Sequence, residues 1–132
     1  MSLPRVRRAL SFGAPSGTVA SGEEERLSLD LAAAGWGMAY VDSVTVHHHP
    51  STRRHAPEQR RTAIWRSRFL TALMRRPLAE VGRVIVEAVR TGAPERRGLL
   101  RALPDVPAAL RRRRPVPPAV REQLRVLAGS AA

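Results

Sequence analysis

Three kinds of side chain able to do chemistry crowd into residues 22–77. Glu23, Glu24 and Glu25 come first, His47, His48 and His49 follow, and Arg53, Arg54, Arg60, Arg61 and Arg66 come after them. Carboxylates move protons, imidazoles titrate near neutrality and bind metals, and guanidinium groups grip phosphates through paired bonds. The glutamates have a structural role at hand. Ser21 and Glu24 fit an S-x-x-E capping box, and acids at 23–25 sit where the helix dipole favours negative charge. A Glu24 folded back on the Ser21 N–H is less free to act as a base, so the two roles compete. The histidines are explained less well by structure. In a regular strand His47 and His49 share one face and His48 points to the other, so all three cannot meet one metal ion. A zinc site built from His47, His49 and His55 has no clear fourth ligand.

The elements that must hold these groups can be read from punctuation and period. Residues 1–21 are rich in Gly, Ser, Pro and Ala without a clear period, and read as a loop or disordered leader. A helix follows, with Leu27, Leu31 and Ala34 on one face and Gly35 as its stop. "GMAYV" and "SVTVHH" read as two short strands joined near Asp42-Ser43. Trp36 and Tyr40 read as core residues. A longer helix is expected from Pro57 to about Arg76, with Trp65, Phe69 and Leu73 at i, i+4 and i+8. Pro77 breaks it. The next helix, over 78–91, has Leu78, Val81, Ile85, Ala88 and Val89 as its apolar side and ends at Gly92 and Pro94. Short helices over 95–103, 107–114 and 118–128 are separated by prolines. There is no internal repeat.

Composition sets the outer limits. The chain has 132 residues and no cysteine, which excludes disulfide staples and thiolate metal sites. Every basic residue is arginine, a pattern that reads first as high-GC coding. Residues 1–50 carry four arginines against five acids, a net of −1. Residues 51–132 carry nineteen against six, a net of +13. That part should attract anions: phosphate groups, nucleic acid or an anionic membrane face. No apolar run approaches the length of a membrane span, and the stretch after Arg5, Arg7 and Arg8 is too weakly apolar for a signal peptide. A cytoplasmic location is the default. Residues 78–89 have an apolar face with Arg83 and Arg90 nearby: packing against the rest of the domain is the first expectation for that face, and peripheral contact at the inner membrane face the second.

Residues 22–77 resemble the C-terminal half of a glycosyltransferase family 2 catalytic domain, of the GT-A fold. The residues that carry the resemblance are Gly22-Glu23-Glu24 at a helix start, Ala34-Gly35-Trp36 at its end, Tyr40-Val41, and Val46-His47-His48-His49-Pro50-Ser51. Arg75-Arg76-Pro77 matches the family's Arg-rich helix end, and the proline-broken basic tail looks like that of actinobacterial members. The resemblance implies an α/β architecture: part of a GT-A, Rossmann-like sheet with one helix and two short strands (22–77), then a basic helical tail (78–132).

It also implies roles. Inverting sugar transfer needs a general base that takes the acceptor hydroxyl's proton as the oxygen attacks the anomeric carbon. By register that base is Glu24, with Glu23 beside it. The leaving nucleoside diphosphate would be offset by Mg²⁺ or Mn²⁺, with His48 or His47 as the metal or diphosphate contact, and by Arg53, Arg54 and Arg66. The donor is a nucleotide-diphosphate sugar and the acceptor a glycan or lipid-linked hydroxyl. The chain departs from the family at Arg26, where an acid is common, and at Ser67, where an asparagine is. It contains no Asp-x-Asp donor motif, and "FGAPSGTVAS" does not match the apolar stretch that precedes the acidic motif in the family. The expectation is therefore a truncated enzyme. Its donor-binding half would lie upstream or be separately encoded, so the chain alone would not catalyse. The alternative is a small basic protein that binds nucleic acid or anionic surfaces.

Overall fold

Four prolines and three glycines set boundaries of the helices. The computed structural model describes residues 22–37, 41–45, 47 and 56–130. Six α-helices are found there: α1 Glu23–Ala33, α2 Pro57–Arg75, α3 Leu78–Thr91, α4 Ala93–Ala102, α5 Val106–Arg111 and α6 Pro118–Ser130, with a 3-10 turn, Leu103–Asp105, before α5. Pro57 and Pro118 open α2 and α6, where a missing N–H costs nothing. Arg76 is forced to extended backbone (φ −106°, ψ 159°) by Pro77, and α2 stops there. Pro94 stands in the first turn of α4, directly after the break at Gly92.

Gly35 ends α1 in the left-handed region (φ 84°), as its type predicts. Its N–H donates to Ala32 C=O and that of Trp36 to Leu31 C=O, each at 3.0 Å, which is the Schellman pattern. The start of α1 differs from expectation. Gly22, not Ser21, is the N-cap residue (φ 76°), and as a glycine it has no side chain with which to cap the helix. Ser21 lies outside the described residues.

The core is built on α2. Trp65, Phe69, Leu70, Leu73 and Met74 pack with Val81, Val84 and Ala88 of α3, Ala102 of α4 and Ala109 of α5. Residues on both sides of Pro77 therefore share one core. The predicted stripe Trp65, Phe69, Leu73 is buried. A smaller cluster joins Leu29 of α1 to Val116 and Val120 at the start of α6. The buried line of α1 is Arg26 and Leu29, while the expected Leu27 and Leu31 are half-buried and Ala34 is exposed.

The C-terminal end of α2 is finished from a distance. A helix leaves its last carbonyls without intrahelical donors. Here Arg113 donates through its guanidinium to Leu73 C=O and Arg76 C=O, the Arg114 N–H donates to Met74 C=O, and the Val116 N–H donates to Arg75 C=O.

The α/β expectation is overturned. Helix accounts for 78% of the described residues, and no strand or sheet occurs among them. Residues 41–45 form a turn, with the Val44 N–H donating to Val41 C=O at 3.3 Å. Two short strands need a third partner to be stable, and the helices offer them no edge to pair with. Trp36, expected in the core, is 49% exposed. The remainder of the two expected strands, Tyr40 included, falls outside the described residues.

Candidate functional site: the acidic start of α1 and the end of α2

Gly22 brings the acidic helix start against α2. A methyl group at Gly22 would collide with Ser67 Oγ, so the close approach requires glycine twice over, for space and for its positive φ. Two arginines at the end of α2 then hold α1. Arg75 clasps Asp30 through Nε (2.6 Å) and Nη2 (3.0 Å), a bidentate pair that is mostly shielded from water. Arg76 reaches Glu25 at 3.3 Å and Glu80 of α3 at 3.6 Å. The Arg76–Glu80 pair spans i, i+4 across the break at Pro77.

Glu24 lies on the exposed side of this junction. It has no hydrogen-bond or ion-pair partner among the described residues. The proposed capping partner of Glu24, the Ser21 N–H, lies outside the described residues. Glu23 is the first helical residue of α1. His47 is exposed. His48, His49, His55, Arg53 and Arg54 lie outside the described residues. Among the described residues no group of three His, Asp or Glu could hold a metal ion.

Arg66, read from sequence as a phosphate ligand, is engaged elsewhere. It pairs with Asp105 at 2.5 Å and ties α2 to the 3-10 turn. The arginines that do meet the acidic helix are Arg75 and Arg76. Sequence reasoning noted them only as part of a motif. The i, i+4 spacing of Arg76 and Glu80 was the signal that could have placed them at a corner.

A groove of about 170 Å³ opens beside them, lined by Glu25, Arg68, Ala72, Arg76, Glu80 and Val84. Sites that enclose a drug-sized ligand measure about 300–1,000 Å³, so this groove cannot enclose a nucleotide sugar. Comparison with protein-family models, with curated proteins and with solved structures finds no match for this chain. No helix among the described residues is long and apolar enough to cross a membrane.

Proposed function

We propose that this chain supplies the acceptor side of a family 2-type glycosyltransferase, with Glu24 as the general base. One observation supports the reading above the others. The helix that opens with the acidic motif, α1, and the second motif, Arg75-Arg76-Pro77, lie far apart in sequence yet are joined by the Asp30–Arg75 and Glu25–Arg76 pairs. These pairs occupy Glu25 and Asp30 and leave the Glu24 carboxylate facing solvent.

In the proposed step the Glu24 carboxylate accepts the proton of an acceptor hydroxyl. That oxygen forms the new bond to the anomeric carbon, and the bond to the nucleoside diphosphate breaks, its electron pair leaving with the diphosphate. The donor sugar is held by a nucleotide-binding half, which the helices described above do not supply. Mg²⁺ or Mn²⁺ on that half, with His48 or His47, would offset the diphosphate charge.

The test uses the native product, isolated from its source through a tag at the C-terminus together with whatever binds it. Release of nucleoside diphosphate is measured from a panel of nucleotide sugars, with and without Glu24→Gln. The expected result is turnover of one donor, lowered by about 10²–10⁴-fold in the variant, the usual contribution of a general base, with unchanged circular dichroism. Full activity in the Glu24→Gln product would overturn the assignment of the base. Absence of any nucleotide-sugar turnover by the native product would overturn the reading as a whole.

A further inference from the structure

α3 has two apolar faces, and the core uses only one. Val81, Val84 and Ala88 are buried. Leu78, Ile85, Val86 and Val89 stay in water at 67, 39, 48 and 52% exposure. At about 100° per residue, a circuit from the buried side meets Ile85, Leu78, Val89 and Val86 in turn. Arg90 and Arg83 come next, then Glu87 and Glu80, and then the buried side again.

The charges are sorted by that circuit. Both acids turn toward α2, where Glu87 accepts from Arg68 at 2.9 and 2.6 Å and Glu80 lies 3.6 Å from Arg76. Arg83 and Arg90 are exposed and have no ion-pair partner among the described residues. The outer side of α3 is thus an apolar stripe edged by two uncompensated positive charges, with both negative charges already matched.

We infer that this side of α3 docks on an anionic lipid surface. The four apolar side chains would enter the boundary between headgroups and acyl chains, and Arg83 and Arg90 would reach lipid phosphates, their stems lying along the stripe. Charge selects this occupant. A second copy of a chain bearing a net charge of +12 would bring like charges together along the stripe. A nucleic-acid backbone would satisfy the arginines and leave four aliphatic side chains in water. A bilayer with anionic headgroups satisfies both. The inference rests on α3 alone and stands or falls independently of sugar transfer.

The experiment mixes the full chain with sedimenting vesicles, either phosphatidylcholine alone or phosphatidylcholine and phosphatidylglycerol in equal parts. Strong binding is expected only with phosphatidylglycerol present. Arg83→Gln and Arg90→Gln should each weaken it about fivefold, the usual worth of one arginine near such a surface. Ile85→Ser combined with Val89→Ser should weaken it by about tenfold or more, because apolar burial supplies the rest. Circular dichroism checks that helix content is retained. A Val89→Trp variant gives a direct readout, since brominated lipid should quench the added indole. Equal binding to both vesicle types, unchanged binding of the double serine variant, or an unquenched indole would each overturn the inference. So would a stable dimer in which the added indole is already shielded without vesicles.

Discussion

Glu95 keeps a carboxylate where water barely reaches, at 1% exposure in the first turn of α4. Neither of its oxygens has a hydrogen bond of good geometry among the described residues, so its compensation is the ion pair with Arg61 at 2.5 Å. Arg61 is itself half in water (53%), which screens the pair. Arg61→Ala leaves a buried acceptor without its cation and should cost about 1–3 kcal/mol. Arg125→Ala removes a pair exposed on both sides (76% and 62%) and should cost about 0–0.5 kcal/mol. Urea unfolding of both variants checks the ranking, and equal midpoints would show that Glu95 does not depend on Arg61. At this scale the sequence was informative about residue type and silent about partners. Glu24 was legible as an acid at a helix start. That Arg66 meets Asp105, thirty-nine positions away, is set by how α2 packs, and no spacing rule reaches that far.

Between elements, one glycine decides how closely two helices pack. Gly98 of α4 lies on the backbone of α2, and an added methyl would fall 2.7 Å from Thr62 O and 2.7 Å from Trp65 Cβ. Alanine is the better helix former by about 1 kcal/mol, yet Gly98→Ala must push the two helices apart. Overpacking of this kind costs about 1–3 kcal/mol, so the net effect should be destabilising. Gly82, in α3, meets open space. Gly82→Ala should therefore stabilise by about 0.4–1 kcal/mol. Thermal unfolding of the two variants should move in opposite directions. Prolines and glycines made α2 and α3 legible almost to the residue, because each acts through local backbone geometry. The inward face of α3 was not legible. Its apolar arc is wide enough to hold two stripes, and the one containing Val84 is inward while Leu78 and Val89 are not. The strands were misread because the β-branched Val41, Val44, Thr45 and Val46 suit a pleat, while a pleat requires a neighbouring strand and none occurs among the described residues.

Over the whole molecule, stability should be graded. The α2-centred core gathers eleven buried residues, whereas α1 is held by Leu29 against Val116 and Val120 and by the Asp30–Arg75 clasp. Amides of α1 and α6 should therefore exchange with deuterium before those in the middle of α2. Asp30→Asn weakens the clasp and should speed exchange in α1 without changing it in α4. Uniform acceleration across all helices would show a single cooperative unit instead. The charge total was readable from composition, but its distribution was not. Arg75, Arg76 and Arg113 are consumed in holding backbone and acids together, while Arg83 and Arg90 remain for encounters outside the chain.

The end of α2 sets the timing of assembly. Its carbonyls at residues 73–76 receive their donors from residues 113–116, forty positions later. A chain growing from its N-terminus makes the longest helix early and completes it late. Until Val116 has left the ribosome, the last carbonyls of that helix must turn to water for donors, and a nascent chain stopped before Arg113 would leave them so. The arginine-rich segment after α5, which in composition looks like a disposable tail, is thus the last piece needed before the molecule's central helix is closed.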